Sequence, residues 1–220
     1  MTVRPIMIFV LRCLPVLATL LLPGCALFEE GAGLSNFGTV VVDAGHGGYD
    51  RGAKAVRGMD EKMLTLDVAR RLKPQLEQRG YRVVMTRSTD VFIPLGGRTG
   101  VSNAHPDAAF VSIHFNWARR RSASGIETYY HDRRSAPLAA NILREISGCY
   151  GSHARGVKFA RYYVLRHNER PATLLELGFI SNPRENACLQ DPAVRQRLAE
   201  RIATGIARGH GGRAPSLAAQ

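Results

Sequence analysis

Acidic side chains are scarce in this chain: 18 Asp and Glu stand against 30 Lys and Arg, a formal charge of +12 over 220 residues. Such an excess excludes an acidic, self-solvating chain and points to an anionic partner. Cysteine is also rare, with four copies, too few for a disulfide scaffold. Two of them, Cys13 and Cys25, fall in the first residues. Cys149 and Cys188 sit in helix-like, partly apolar settings, where buried thiols are expected rather than a bridge. No apolar run approaches the ~20 residues that cross a bilayer. No internal repeat and no dividing linker is visible, which suits one domain with one core. The hydrophobic fraction of 45% is that of an ordinary globular chain.

The first residues have a pattern of their own. Residues 1–24 carry Arg4 and Arg12, no acidic residue, and the apolar stretch Leu14–Leu22. A basic start, a short apolar core and a small residue before a cut describe an export signal. With Cys25 just after the cut, the segment resembles a bacterial lipoprotein signal. That resemblance implies lipidation of Cys25 and a membrane anchor there. Ala26, rather than Asp, then implies the periplasmic side of the outer membrane. An uncleaved anchor and plain secretion are the alternatives. Residues 25–37 are unpatterned and read as a tether. Residues 209–220, rich in Gly, Ala, Pro and Ser, read as a flexible tail. Nucleic acid is the reflex partner of so basic a chain, but an exported one meets anionic headgroups or an acidic wall polymer instead. No nucleic-acid partner is expected. A merely basic proteome is the plain alternative.

Between these ends, residues 38–208 alternate strands with helices. Gly38–Val42 reads as a strand. Glu61–Arg79 places Met63, Leu64, Leu66, Val68, Ala69, Leu72 and Leu76 at a helical period; Pro74 is a candidate kink and Gly80 a stop. Tyr81–Thr86, Ala108–Ile113, Gly125–Tyr130, Tyr162–Leu165 and Thr173–Leu177 read as strands. Leu95–Ala104, Pro137–Cys149 and Pro192–Ala207 read as helices. The fold class is therefore α/β: a single domain with a twisted, mostly parallel sheet of about six strands flanked by helices.

The chemistry-bearing residues fall at strand ends. His46 follows the first strand in Asp43-Ala-Gly-His-Gly-Gly48. His114 follows the third in Ser112-Ile-His-Phe-Asn116. Glu176 closes the last central strand in Leu174-Leu-Glu-Leu-Gly178, and Glu61 opens the first long helix. In a parallel sheet the carboxyl ends of the strands share one edge, where ligands bind. Two imidazoles and a carboxylate can hold zinc with a position left open for water. A second carboxylate nearby can carry protons. Glu176, flanked by apolar residues, should have a raised pKa that suits that role. There is no His-Glu-x-x-His on one helix, so this set is nonlocal and the spacing alone does not establish a metal.

Taken in order, these blocks resemble the zinc-dependent N-acetylmuramoyl-L-alanine amidases of the amidase type 3 family. The resemblance runs from about Val40 to Ile206. It includes Asp50, Gly52-Ala53, Glu61-Lys62, Thr86-Arg87, Asp90, Arg98, Gly125-Ile-Glu127, and Pro171 with Leu175 through Asn182. It implies one zinc ion held by His46, Glu61 and His114, with Glu176 as the catalytic glutamate. Asp60 is the rival ligand beside Glu61. The implied reaction is hydrolysis of the amide between the lactyl group of N-acetylmuramic acid and L-alanine, in peptidoglycan. A lipid-tethered wall-binding module without turnover, and a zinc peptidase acting within the stem peptide, are the alternative readings.

Other candidates have plainer explanations alongside. Glu127 suits a cross-strand salt bridge, or a role in holding substrate. Asn116 suits a turn cap, or a contact to a substrate carbonyl. Arg98 and Asp107 read as structural partners. His105, His131, His153 and His210 read as solvated, and His167 as a loop residue that could reach a peptide. Arg119–Arg121 form a solvated turn or a contact to stem-peptide carboxylates. Some members of the family insert a long helix after the second histidine block to plug the zinc. The short, basic and polar connection between His114 and Glu127 is too brief for one, so an open site is expected. The protein is expected to be a monomer.

Overall fold

The computed structural model describes residues 37–208. The expected signal over 1–24, the lipidation site Cys25, all of the tether but its last residue, His210 and the tail over 209–220 lie outside the described residues. In chain order the elements are β1 (Thr39–Ala44), α1 (Glu61–Glu77), β2 (Arg82–Met85), α2 (Leu95–Asn103), β3 (Ala108–Asn116), β4 (Ile126–Tyr130), α3 (Ala136–Ile146), β5 (Ala154–Phe159), α4 (Tyr163–Arg166), β6 (Ala172–Phe179), α5 (Pro183–Leu189) and α6 (Pro192–Ala207). The six strands lie in the order β2-β1-β3-β6-β4-β5. Every adjacent pair is parallel except β4 with β6, which is antiparallel. The chain is thus a single α/β domain on a mostly parallel six-stranded sheet.

Alternation along each strand divides the sheet into two faces. Val40, Val42, Ala109, Val111, Ile113, Leu175 and Leu177 point to the larger core, which packs on α1, α3 and α6. Val41, Phe110 and Leu174 point the other way, to a smaller cluster with Val164 and Leu165 of α4 and Val101 of α2. Asp43, His114, Glu176 and Glu127 are in phase with this second set. The thinner cover on that face, two short helices, leaves room for a cleft above the carboxyl ends of β1, β3 and β6.

One read strand is a helix. Tyr162–Leu165 was expected to be extended, but Tyr163–Arg166 forms the single turn α4. Adjacent Val164 and Leu165 are both buried, which a strand with one covered face does not allow and a short helix lying on the sheet does. Cys149 and Cys188 are free and half-buried. α1 runs through Pro74 to Glu77. Among the described residues no helix is long and apolar enough to cross a membrane.

Asp43 and Arg98 lock α2 to β1. Arg98 Nη1 donates to Asp43 Oδ1 at 2.7 Å, with both side chains almost fully buried. Asp43 also accepts from Thr86 Oγ1 at 2.6 Å and Ser112 Oγ at 2.7 Å. Removing one partner of a buried pair strands the other charge. Arg98→Ala is expected to lower the unfolding free energy by about 3–5 kcal/mol, read as a lower denaturant midpoint at an unchanged m-value.

Candidate active site

The turn after β1 presents His46. The chain leaves the strand through Gly45, His46 adopts a left-handed backbone with φ 60°, and Gly47 and Gly48 follow at φ 126° and 60°. Left-handed backbone is uncommon outside glycine, though histidine is among the residues that tolerate it. Two buried arginines hold the turn: Arg98 Nη2 donates to the His46 carbonyl at 2.7 Å, and Arg87 Nη2 to the Gly45 carbonyl at 2.8 Å. A Cβ at Gly45 would fall 2.3 Å from His114 Cε1. Only glycine lets the His114 ring lie this close against the backbone.

Three donor atoms then converge. His46 Nε2 lies 3.1 Å and His114 Nδ1 3.0 Å from the same atom, Glu61 Oε1. The ligand atoms of His46, Glu61 and His114 lie within 4.8 Å of one another. Glu61 is fixed from both sides, as Oε2 accepts from the Ala53 N–H at 2.7 Å and Oε1 from the Phe115 N–H at 3.0 Å. A Cβ at Gly52, where φ is 65°, would lie 2.6 Å from Glu61 Oε2. Burial pushes the Glu61 carboxyl up, but hydrogen bonds and charge from His114 and His46 outweigh it and hold it well below the usual carboxylate range. Burial would lower the His46 pKa; Glu61 and Asp50 outweigh that and raise it. An ionised carboxylate and two imidazoles in this arrangement form a group that can hold a metal ion.

Asp50, which the sequence places among the family blocks without a role, orients the first histidine. Its Oδ2 lies 2.9 Å from His46 Nδ1, and its Oδ1 accepts from the Gly52 N–H at 3.0 Å. With the proton on Nδ1, the Nε2 lone pair of His46 faces Glu61. Carboxylates that orient a ligating imidazole in this way are worth about 10–100-fold in metal affinity. Asp50→Asn is therefore expected to weaken metal binding by about that factor with the fold intact, as measured by competition with a chelating dye. The signal available in the sequence was the four-residue spacing from His46 across a glycine turn.

Glu176 stands beside this group, its Cα register partner on β3 being His114 itself. Its Oε2 is buried without a hydrogen-bond partner. Burial raises its pKa well above the ordinary value, and the charges of Glu61 and Glu127 add to the shift. It lines a cavity of about 620 Å³ together with His46, Glu61 and His114. Phe92, Leu95, Trp117, Tyr162 and Tyr163 supply the apolar walls.

The remaining candidates are distributed as follows. Glu127 is buried opposite Glu176 on the antiparallel strand β4. It is paired with Arg155 and Lys158 of β5 and accepts from the Tyr129 hydroxyl. Asn116 lines the cavity, and its Oδ1 accepts from the Trp117 N–H at 2.8 Å. Asp60 points away from the cluster, accepting from Arg51 Nε at 2.9 Å and the Ala55 N–H at 3.2 Å. Asp107 accepts from Thr39 Oγ1 at 3.0 Å. Arg119–Arg121 are exposed. Arg121 and His153 line a separate cavity of about 700 Å³. His167 stacks on Tyr163 with ring centroids 4.0 Å apart. Among the described residues, 117–125 join β3 to β4 through turns with no helix.

The comparisons with known proteins agree with this geometry. The Bacillus subtilis (strain 168) protein YqiI is 37% identical over 172 residues, covering 76% of this chain and 82% of that protein. The N-acetylmuramoyl-L-alanine amidase AmiC of Neisseria meningitidis serogroup B is 32% identical over 215 residues, covering 77% of this chain. The chain spans about half of AmiC's length, 52%. Among solved structures, the catalytic domain of CwlV, an N-acetylmuramoyl-L-alanine amidase from Bacillus (Paenibacillus) polymyxa var. colistinus, superimposes with a TM-score of 0.76 at 36% identity. That match covers 80% of this chain and 99% of the CwlV domain. The profile of the N-acetylmuramoyl-L-alanine amidase family matches residues 40–208, the whole of the domain that builds the cluster. With one profile spanning every element that positions His46, Glu61, His114 and Glu176, the chain belongs to the amidase type 3 family of N-acetylmuramoyl-L-alanine amidases.

Proposed function

We propose that this chain hydrolyses the amide between the lactyl group of N-acetylmuramic acid and L-alanine in peptidoglycan, with one zinc ion as cofactor and Glu176 as proton carrier. Zinc is the metal that the donor set suits best: two imidazole nitrogens and a carboxylate, without thiolate. His46 Nε2, Glu61 and His114 Nδ1 would hold it, and when bound it would polarise the carbonyl and acidify water. Asp50 keeps the His46 ring oriented. Glu176 takes the proton of the attacking water and returns it to the departing alanine amine. Burial and the charges of Glu61 and Glu127 raise its pKa, which favours its holding the proton it has accepted until it is donated.

The observation that carries the reading is the pairing of a buried, unpartnered carboxylate oxygen on Glu176 with a His46–Glu61–His114 cluster in one cavity. The export signal, Cys25 lipidation and an outer-membrane, periplasm-facing location complete the proposal. The tether and the positive charge would keep a monomeric enzyme at the wall. Digestion of defined muropeptides by the zinc-supplied protein should release intact stem peptides with a new free alanine amine, and a chelator should stop it. Cleavage inside the stem peptide would instead establish a peptidase. Binding without any product would establish a wall-binding module.

A further inference from the structure

Beyond Glu176, outside the residues that line the cavity, the β4–β5 edge of the sheet carries two cations that hydrolysis itself does not use. Two cations converge on the single carboxylate of Glu127: Arg155 pairs with Oε1, and Lys158 Nζ lies 2.7 Å from Oε2. Burial tends to raise the Glu127 pKa, but Lys158, Tyr129 and Arg155 outweigh it and keep the group ionised. One negative charge therefore faces two positive ones. A single partner would have satisfied Glu127, and a second cation beside the first costs repulsion unless an anion shares it.

Both cations keep an open face. The Arg155 and Lys158 side chains are 35% and 39% exposed, against 3% for Glu127. Both are also anchored. The Arg155 guanidinium sits 5.2 Å from the centroid of Phe179, and its Nη1 donates to the Ser124 carbonyl at 3.2 Å. The Lys158 ammonium lies 5.9 Å from the centroid of Tyr129. Anchoring reduces the side-chain entropy lost when an anion binds.

Position selects the ligand. Glu127 is directly opposite Glu176, and β5 is the next strand out. Because both cations reach back to the Glu127 carboxylate, they lie about one strand spacing of ~4.8 Å from the proton carrier, a span of one to two extended residues at ~3.5 Å each. At the cavity's other end Phe92, Ile93 and Leu95 are apolar, which suits the uncharged sugar. We propose that Arg155 and Lys158 form a shelf that binds a free carboxylate of the stem peptide, one residue beyond the scissile alanine amide. The proposal builds on the amidase reading and specifies the direction in which the substrate lies across the sheet.

The test uses the zinc-supplied full chain and two muropeptides that differ in one group, a carboxylate or a carboxamide on the second stem residue. The wild type is expected to favour the carboxylate by about tenfold in kcat/KM, as a charge-assisted hydrogen bond would give, and to do so through KM. Arg155→Met should raise KM for the carboxylate form about tenfold, with kcat little changed, and so erase the preference. Arg155→Lys should restore most of it. Removing one cation leaves a neutral Glu127–Lys158 pair, so the fold should persist, and an unchanged melting temperature checks this. Titration of the released peptide by calorimetry gives a readout independent of turnover: Arg155→Met and Lys158→Met should each bind it about tenfold more weakly. Equal cleavage of both forms by the wild type, with peptide binding unaffected by either variant, would overturn the shelf. Discriminating peptide binding with no cleavage of either form would keep the shelf and overturn the amidase reading.

Discussion

Replacing Glu176 by Gln is expected to cut turnover by about 10²–10⁴-fold, the usual contribution of a positioned acid–base group, while bound zinc stays at the wild-type level. Glutamine keeps the shape and volume of the side chain, so the cavity and the β3–β6 register survive. What it removes is the capacity to accept a proton. That capacity is unusual here because the side chain is half-buried, its Oε2 is fully buried with no hydrogen-bond partner, and the Glu61 and Glu127 carboxylates disfavour its ionised form. A structural carboxylate in such surroundings would be paired, as Glu127 is with Arg155 and Lys158. An unpaired one is costly to keep and is retained where its proton is used. Peptide release from a defined muropeptide and metal content by atomic absorption, measured on the same preparation, check the expectation. Loss of metal in step with activity would make Glu176 a ligand rather than the proton carrier.

Much of this arrangement was legible in the sequence because strands and long helices carry periodic signals. The helical spacing of Leu64, Val68, Leu72 and Leu76 marked α1, and the apolar run Ala108–Ile113 marked the central strand β3. Placing His46, His114 and Glu176 at one edge needed only the rule that parallel strands share a carboxyl end. The actual geometry is slightly different: His114 lies within β3, which continues to Asn116, and Glu176 within β6, which continues to Phe179, with the two residues paired in register just before the strands end. Less regular elements were harder to see. β5 carries no strand signal, since Ala-Arg-Gly-Val-Lys-Phe has no clean alternation and lies at the sheet edge with little burial. α5 was not read as a helix, since Pro-Arg-Glu-Asn-Ala-Cys-Leu is short and polar. Its start was nonetheless written in Asn182-Pro183, an N-cap whose side chain accepts from the Arg184 and Glu185 N–H groups ahead of a proline in the first turn. Tyr162–Leu165 failed for a different reason: a short run of aromatic and branched residues fits strand and helix equally, and only burial of adjacent Val164 and Leu165 decides between them. Side-chain partners across the sheet, such as Asp50 for His46 or Lys158 for Glu127, depend on loop conformation and register, which no local pattern encodes.

His46→Ala and His114→Ala should each remove zinc and activity together, with activity falling by at least about 10³-fold, since several kcal/mol of transition-state stabilisation depend on the metal. The two variants should differ in stability. His46 is partly exposed at a turn and its main partner besides Glu61 is Asp50, so its loss frees groups that water can reach. His114 lies on β3 against the Gly45 backbone, where even a Cβ would collide with its ring. Either truncation leaves Glu61 with one imidazole fewer, but truncation at His114 also opens a void against the Gly45 backbone. His114→Ala should therefore melt lower than His46→Ala in the metal-free state, where loss of bound zinc cannot account for the gap. Scanning calorimetry of both variants and the wild type, each stripped by chelator, checks this. Melting temperatures of both variants equal to that of the wild type in the stripped state would mean that the Glu61 carboxylate is held by the Ala53 and Phe115 N–H groups alone. The imidazoles would then serve the metal and not the fold.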